Sequence, residues 1–269
     1  MIDLSVIMTA KNDNYGGVYL LPGDDNGIPL ATPQKERMKW SLETLLYALS
    51  DINFELILVE WNPPKNIESI ASWEFMKKPN FRIIQVPQEV SEEVLGDLPF
   101  HEYYAKNVGI RRARGEYILC TNPDILWLHK FTKDILQSPM LADRWNIHSR
   151  GSLLGLINSD IDTIRNFCRA PENIIAKTKD ANGDFTLMSK KEWYELNGYT
   201  IVLDGVAGTD MWMIHRARTR YGRMYTLPFP VYHISHPGRR QGSSYGRTII
   251  DDNWGLPEYN FEEINYETS

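Results

Sequence analysis

The residues best suited to chemistry in this sequence are one aspartate and two histidines, each at the end of a short apolar run. Asp124 closes the segment Thr121-Asn122-Pro123-Asp124. A carboxylate there suits a hard divalent cation that bridges phosphates, whereas Asn-Pro-Asp is also ordinary turn chemistry. His233 and His236 end another apolar run, and a mixed Asp/His set suits Mn²⁺ or Mg²⁺ with a diphosphate. These three side chains are therefore candidate metal ligands.

Two further acids each have two interpretations. Asp210 lies in the first turn of a helix predicted at Thr209–Tyr221, where it either complements the helix dipole or acts as a general base. Asp184 begins the otherwise apolar run Gly183–Ser189, where an unpaired buried acid would be costly. It lies either at an edge position or in a ligand site. The local sequence leaves both questions open.

Basic and aromatic residues near these acids suit a phosphate and a sugar. Arg239 and Arg240 follow the histidines within the glycine-rich segment Gly238–Gly246, which predicts a flexible lid that closes over phosphate oxygens. Aromatic faces beside a polar cleft suit sugar rings, although core packing is their more common use. The tryptophans next to the polar clusters are Trp127, Trp193 and Trp212.

The elements that must position these residues alternate between strand and helix in the first half of the chain. Such alternation predicts an α/β fold with a parallel sheet, whose ligands bind at the carboxyl ends of the strands. Polar clusters follow three of the strands, at Lys11–Asn14, Glu60–Asn62 and Asn122–Asp124. The predicted strands are Ile2–Thr9, Glu55–Glu60, Phe81–Val86, Glu116–Thr121, Gly183–Ser189, Met224–Leu227 and Val231–Ile234, and the predicted helices are Lys35–Leu49, His101–Arg114, Lys190–Leu196 and Thr209–Tyr221.

Composition limits the class of protein. The chain has 269 residues, of which 42% are hydrophobic. Its formal net charge of −6 disfavours a partner bound mainly through its phosphate backbone, such as a nucleic acid. Two cysteines exclude a disulfide scaffold and a cysteine-based zinc module. The sequence shows neither a membrane span nor the pattern of a signal peptide at Met1–Ala10. These features predict a cytoplasmic protein.

The chain has no segment with the composition of an interdomain linker, so we expect a single domain. It divides into two halves, about residues 1–127 and about residues 128–250. Residues 251–269 contain six acidic residues and no basic one, which predicts an acidic tail that wraps the surface.

Two segments together resemble a known family. The stretch from Ala105-Lys106-Asn107-Val108-Gly109 to Gly115-Glu116-Tyr117-Ile118 resembles the Ala-x-Asn-x-Gly and Gly-Glu-Tyr-Ile motifs of family-2-type GT-A glycosyltransferases. In that family the next strand ends in Asp-x-Asp, and here Asn122-Pro123-Asp124 keeps the second aspartate and replaces the first. The first strand with Thr9–Asn14 resembles the opening segment of the family, and Glu60 stands where it usually has an acid near the nucleobase.

Later motifs follow in the same order. Gly183-Asp184-Phe185 and Asn197-Gly198-Tyr199 resemble the acceptor-side strand and turn of the family. Thr209-Asp210 stands where the family carries Glu-Asp, whose second residue is the base. His233 or His236 falls where many members place a metal-binding histidine. The resemblance covers about residues 2–240.

The resemblance implies a GT-A (Rossmann-like) fold, with a mostly parallel central sheet and a smaller mixed sheet on the acceptor side. It implies a hexosyltransferase-type enzyme that uses Mn²⁺ or Mg²⁺. The donor would be a UDP- or GDP-linked sugar, and the acceptor a glycan or another hydroxyl compound. The transfer would invert the configuration at the anomeric carbon. The implied site consists of a catalytic base, Asp210, metal ligands Asp124, His233 and His236, donor-binding residues Thr9, Lys11, Asn12, Glu60, Asn107, Arg111, Asn122 and Asp124, and acceptor-binding residues Asp184 and Trp212.

Two other functions remain open at this point. A sugar-1-phosphate nucleotidyltransferase shares the α/β sheet but usually carries a basic glycine-rich loop after the first strand, where this chain has Lys11-Asn12-Asp13-Asn14 without a basic cluster. A protein that binds sugar nucleotides or carbohydrates without turnover would keep the fold and lose the activity.

Overall fold

The computed structural model describes residues 1–13, 33–98, 100–147, 160–170, 174–178, 183–202, 208–234, 236, 248–249 and 253–266. Its strands are β1 (Leu4–Ala10), β2 (Phe54–Trp61), β3 (Phe81–Val86), β4 (Tyr117–Thr121), β5 (Ile125–Leu126), β6 (Met140–Leu141), β7 (Arg144–Ile147), β8 (Ile174–Thr178), β9 (Phe185–Ser189), β10 (Ile201–Val202), β11 (Tyr225–Thr226), β12 (Val231–Ile234), β13 (Thr248–Ile249) and β14 (Glu262–Asn265). Its helices are α1 (Gln34–Ala48), α2 (Gln88–Leu95), α3 (Glu102–Arg112), α4 (Ile161–Arg169), α5 (Lys190–Glu195) and α6 (Thr209–Tyr221), with short 3₁₀ turns at Ile70–Ser72, Glu74–Met76 and Lys133–Gln137.

The main sheet has the strand order β11-β6-β9-β4-β1-β2-β3-β14. Its centre is parallel, since β1 pairs in parallel with β2 and β4, and β2 pairs in parallel with β3. Antiparallel strands flank this centre, with β9 next to β4 and β14 next to β3. The mostly parallel α/β sheet predicted from the sequence is therefore confirmed.

Both faces of the sheet are covered, which explains why its central strands are apolar throughout. Successive side chains of a strand point to opposite faces. Accordingly, Val6 and Met8 of β1 belong to the hydrophobic cluster that includes α1, whereas Ile7 belongs to the cluster that includes α3. The sheet is thus held between two layers of helix.

Helix α3 lies very close to the sheet because it has a glycine at the point of contact. A Cβ on Gly109 would lie 2.6 Å from Ile7 Cγ2 and 3.3 Å from Val59 Cγ2, so any larger residue would push the helix away. The helix starts after His101, whose ring accepts a hydrogen bond from the Tyr104 backbone N–H at 3.3 Å. This packing fixes the beginning of α3 near the carboxyl ends of the strands.

A second, smaller sheet has the order β5-β12-β7-β8. Strand β12 lies antiparallel to β5, which follows Asp124 directly, and His233 is opposite Ile125 in that pairing. The mixed pairing continues with β7, which is parallel to β12. This small mixed sheet, which the resemblance implied, brings the end of β12 next to the end of β4.

Several details differ from the sequence prediction. In α6, the side chain of Met211 is 66% exposed and that of Met213 is buried. The acidic tail does more than wrap the surface, because β14 extends the main sheet and Trp254 and Phe261 are buried. Helices α2 and α4 and most short strands were not predicted. Helix α4 nevertheless has an apolar face, since Ile164 and Cys168 are buried four residues apart.

No helix in the described part of the chain is long and apolar enough to cross a membrane.

Candidate functional site

Asp124, His233 and His236 form a compact cluster at the carboxyl end of β4. The Asp124 side chain is 9% exposed, and its Oδ2 atom lies 2.7 Å from His236 Nε2. Its other oxygen, Oδ1, lies 3.6 Å from His233 Nε2. The backbone holds the cluster together because the N–H of Ile234 donates to the Asp124 carbonyl at 3.0 Å. The structure thus brings together the three ligands that the sequence analysis proposed for a metal.

The charges in this cluster favour metal binding. Burial raises the pKa of the Asp124 carboxyl, but the neighbouring His233, His236 and Arg37 lower it more, so the pKa falls below its ordinary value. Burial lowers the pKa of His233, an effect that nearby Asp124 and Asp184 oppose. Asp124 is therefore an anion and His233 a neutral imidazole near neutral pH, which are the protonation states that metal ligands need.

The geometry also fits a cation. One ligand atom from each of the three residues lies within 4.8 Å of the others. In the described part of the chain, Asp124 Oδ1 and His233 Nδ1 are buried without a hydrogen-bond partner. Buried polar atoms are nearly always paired, so an unpaired atom needs an explanation, of which a missing ion is one. One carboxylate and two imidazoles form a donor set that several divalent transition-metal ions accept, whereas Mg²⁺ prefers oxygen ligands.

A chain of polar side chains lies beside this cluster. Lys106 is fully buried on α3, and its Nζ donates to Glu102 Oε1 at 2.5 Å and to Asn122 Oδ1 at 2.9 Å. The Asn122 Nδ2 group donates to Asp184 Oδ1 at 2.9 Å, and Asp184 Oδ2 lies 2.7 Å from Arg144 Nη1. Each buried charge therefore has a charged partner, as burial of charge requires.

This chain explains why the first position of the Asp-x-Asp motif is an asparagine here. An amide offers an oxygen to Lys106 and an N–H to Asp184 at the same time. An aspartate in place of Asn122 would put two carboxylates at hydrogen-bond distance, and like charges that close resist ionisation. Asp184 is thus a buried acid that is paired with Arg144 and Asn122. Of the two alternatives open at the sequence level, an edge position does not match this pairing.

Asp210 lies where α6 begins, after Gly208, whose φ of 83° is a left-handed conformation that glycine adopts readily. Its Oδ1 accepts a hydrogen bond from the Met211 N–H at 2.8 Å. Burial raises the pKa of Asp210, and Glu102 adds to that shift while Lys106 opposes it. Asp210 is therefore close enough to the Lys106 chain to be influenced by it.

The side chains at the ends of β1 and β2 are mostly used by the protein itself. Glu60 is fully buried and accepts hydrogen bonds from Ser69 Oγ at 2.6 Å, the Ile70 N–H at 2.8 Å and Gln85 Nε2 at 2.7 Å. The Asn12 Nδ2 group donates to the carbonyl of Glu68. Both side chains thus hold the loop after β2 in place. Thr9 and Lys11 lie at the same edge, at and just after the end of β1.

Two residues predicted to bind the donor lie elsewhere. Asn107 is buried, and its amide is occupied by the backbone of Tyr199, which donates to Oδ1 at 2.7 Å and accepts from Nδ2 at 2.9 Å. Arg111 lies one turn further along α3, away from the carboxyl ends of the strands, and its guanidinium stacks on Trp254 at 4.9 Å from the ring centroid. The structure therefore places both residues on the part of α3 that packs along the sheet, whereas the first turns of the helix reach the site.

The tryptophans have different environments. Trp127 and Trp193 are core residues, with exposed fractions of 1% and 0%, whereas Trp212 is 53% exposed beside Asp210. The predicted lid, with Arg239 and Arg240, lies outside the described residues. Sequence reasoning missed Lys106 and Arg144 as members of the site. The signal for Lys106 was its position four residues after Glu102 on a helix, which brings the two side chains together.

Comparison with known proteins agrees with this architecture. The sequence matches no family model and no curated protein. Among solved structures, the fold is similar to residues 1–349 of S. aureus TarS in complex with UDP, with a TM-score of 0.50 and 14% identity over 87% of this chain. A second S. aureus TarS structure gives the same TM-score and identity, again over 87% of this chain.

The chain spans 61% of the first of these TarS structures and 37% of the second. TarS is a GT-A glycosyltransferase. At 14% identity the likeness concerns the fold, and the GT-A fold implied by the sequence resemblance is confirmed.

Proposed function

We propose that this protein is a glycosyltransferase that moves a sugar from a nucleoside-diphosphate sugar to a hydroxyl acceptor. The observation that carries the proposal is the Asp124–His233–His236 cluster, with two unpaired buried polar atoms, at the carboxyl edge of a GT-A sheet. Ligands of α/β sheets bind at this edge. The structure of TarS with UDP supports a uridine diphosphate as the donor nucleotide.

The proposed donor site lies between β1 and the cluster. Thr9 lies near the end of β1, and Lys11 and Asn12 follow the strand at the same edge. The nucleoside would lie there, and the diphosphate would lie near Asp124. Glu60 would help to position the nucleoside indirectly, because its hydrogen bond from Ser69 holds the neighbouring loop in place. A divalent ion held by Asp124, His233 and His236 would supply positive charge to the leaving diphosphate.

The proposed base is Asp210. Its carboxylate lies at the start of α6, and burial raises its pKa, which makes it a better proton acceptor than an exposed aspartate while it stays ionised near neutral pH. It would take the proton of the acceptor hydroxyl as that oxygen attacks the anomeric carbon from the side opposite the diphosphate, so the configuration is inverted. Exposed Trp212 next to it would offer an aromatic face to the acceptor.

The buried chain from Lys106 to Arg144 would position these groups. It links the start of α3, the end of β4 and the start of β9 through Lys106, Asn122 and Asp184. A catalytic site requires its groups to be held close to their working geometry before the substrate binds. The hydrogen bonds of this chain provide such support between the acceptor side and the metal ligands.

A turnover assay tests the proposal. The protein is incubated with Mn²⁺ and one of four donors, UDP-glucose, UDP-galactose, UDP-N-acetylglucosamine or GDP-mannose, and the released nucleoside diphosphate is measured. We expect release of UDP from at least one donor, its suppression by EDTA and its loss in Asp124→Ala. The exposed Asp51 supplies the matched control, since Asp51→Ala should keep full turnover.

Other outcomes would contradict the proposal. Pyrophosphate-dependent exchange into the sugar nucleotide, without release of UDP, would indicate a nucleotidyltransferase. Binding of a sugar nucleotide with no turnover, either with water or with added glycans, would indicate a binding protein.

A further inference from the structure

The space beside Gly183 is bordered by two polar oxygens from different helices. A Cβ built on Gly183 would lie 3.2 Å from Tyr103 Oη, on α3, and 3.6 Å from Asp210 Oδ2, at the start of α6. Among the described residues, apart from Gly183 and its two chain neighbours, no other atom comes within 4 Å of that position. A side chain here would crowd the phenol oxygen, so the glycine keeps a side chain away from both the phenol and the carboxylate.

The groups around this space are held in place. The carbonyl of Gly183 accepts a hydrogen bond from Lys106 Nζ at 2.8 Å. The Tyr103 ring packs against the Tyr199 ring, with centroids 4.8 Å apart, and Lys106 Nζ lies 5.2 Å from the Tyr103 centroid. The phenol oxygen thus keeps a defined position relative to the carboxylate of Asp210.

The two oxygens have complementary hydrogen-bonding roles. Burial, together with the carboxylates of Glu102 and Asp210, raises the pKa of Tyr103 well above its ordinary value. The phenol therefore stays protonated and can donate a hydrogen bond. A carboxylate only accepts. A hydroxyl group placed between them can satisfy both, since it accepts from Tyr103 and donates to Asp210.

We propose that Tyr103 binds the attacking hydroxyl of the acceptor, in the space that Gly183 leaves open beside Asp210. This inference rests on the proposed function. In the transfer step the acceptor oxygen forms a bond to the anomeric carbon, and the bond from that carbon to the diphosphate oxygen breaks. The electron pair of the broken bond leaves with the diphosphate, and the proton of the hydroxyl goes to Asp210. Tyr103 keeps its own proton and orients the oxygen.

The test measures hydrolysis of the UDP-sugar with water as the acceptor, using whichever of UDP-glucose, UDP-galactose and UDP-N-acetylglucosamine the wild-type protein cleaves fastest. Tyr103→Phe keeps the ring and its contact with Tyr199 and removes one hydrogen bond. We expect kcat to fall roughly fivefold, the effect of one neutral hydrogen bond, while the KM for the donor and the unfolding midpoint stay unchanged.

Two further variants sharpen this test. Gly183→Ala places a methyl group in the space and should lower kcat at least as much, again with an unchanged affinity for UDP. Tyr117→Phe is the matched control, because Tyr117 begins β4 at the opposite end of the strand and should have no effect on turnover.

The outcomes separate the two proposals. If the wild-type protein turns over none of the four donors of the turnover assay, with water or with added glycans, the proposed function is wrong and the inference about Tyr103 falls with it. If the wild-type protein cleaves a donor and Tyr103→Phe has the same kcat, the inference alone is wrong. A lower unfolding midpoint together with a weaker affinity for UDP in Tyr103→Phe would show a structural role and also overturn it.

Discussion

Two buried polar clusters lie at opposite ends of the same sheet, and they differ in how fully their atoms are paired. At the amino ends of the strands, Glu55 accepts hydrogen bonds from Ser5 Oγ at 2.6 Å and the Arg114 N–H at 2.7 Å. Its Oε2 also lies 3.4 Å from Arg82 Nε, and Arg82 reaches Glu263 of β14 at 3.1 Å. At the carboxyl ends, Asp124 Oδ1 and His233 Nδ1 have no hydrogen-bond partner among the described residues.

The difference indicates what each cluster is for. Both place a carboxylate with basic groups in a region of low solvent exposure, where an unpaired charge is costly. In the amino-end cluster both oxygens of Glu55 have partners within the protein, and the pair joins β2, β3 and β14. Arg82 Nε has no hydrogen bond among the described residues, but it faces Glu55 Oε2 in the ion pair. The carboxyl-end cluster keeps Asp124 Oδ1 unpaired, so it is suited to an external ligand. The first cluster should therefore matter for stability and the second for binding and turnover.

The largest effect is expected from Asp210→Asn, at the carboxyl end. Asparagine keeps the shape of the side chain and can still accept the hydrogen bond of the Met211 N–H, but it cannot take a proton. Loss of general-base catalysis should lower kcat by roughly 10²–10⁴. The affinity for UDP, measured by calorimetry, should stay within twofold of the wild-type value. Transfer at the wild-type rate would leave Asp210 as a helix-terminal acid with no part in the reaction.

The next largest effect should come from the amino-end cluster, and on stability rather than turnover. Glu55→Ala leaves buried Arg82 with Glu263 as its acidic partner and with its hydrogen bond to the Arg112 carbonyl, and it leaves Ser5 Oγ without the Glu55 carboxylate. Removing one partner of a buried ion pair costs about 3–5 kcal/mol, which denaturant unfolding would measure. The kcat of the folded fraction should not change. A large loss of kcat in folded Glu55→Ala would break the distinction between the two clusters.

A smaller effect is expected when the missing aspartate of the motif is restored. Asn122→Asp would place a second carboxylate next to Asp184, where Asn122 Nδ2 now lies 2.9 Å from Asp184 Oδ1. The lost hydrogen bond and the repulsion should lower the free energy of unfolding by about 1–3 kcal/mol. UDP binding in the presence of Mn²⁺ should not become tighter, and a clear gain in affinity would contradict a structural role for Asn122.

The smallest effect concerns pH. A base must be deprotonated to act, so the transfer rate falls as the pH falls through the pKa of Asp210. Because burial and Glu102 raise that pKa, the rate begins to fall at a higher pH than it would for an exposed aspartate. Glu102→Gln removes one of the two causes and frees Lys106 from its partner. The acidic limb of the kcat profile should therefore move to lower pH, by less than about one unit. A shift to higher pH would contradict this assignment.

The sequence predicted the parts of the fold that have a regular pattern. Strand β3 and helix α6 were predicted with the bounds observed, and β12 likewise, because each combines an apolar period with a clear start or stop signal. The two-residue strands β5 and β6 carry no such period, and they form because the longer strands β12 and β9 supply their partners. Their placement depends on tertiary contacts that the local sequence does not encode.

The structure brings the predicted site residues together where residue type and strand end coincide, and separates them within α3. Asp124 and His233 were found because metal-binding residue types follow apolar runs that end at the same edge of the structure. Asn107 belongs to a family motif, but its amide pairs with the backbone of Tyr199, a contact across 92 positions of sequence. Lys106, its neighbour, faces the site instead. Which of two adjacent helical residues faces the ligand depends on packing against the sheet.

The most direct test of the central claim is the effect of Mn²⁺ on UDP binding. Isothermal titration calorimetry would compare the wild-type protein, His233→Ala and Asp124→Ala, each with Mn²⁺ and with EDTA. We expect Mn²⁺ to tighten UDP binding by wild type at least about tenfold, which is about 1.4 kcal/mol of binding free energy, and to have no effect on either variant. Equal affinities with Mn²⁺ and with EDTA in the wild-type protein would contradict the assignment of this cluster as a metal centre.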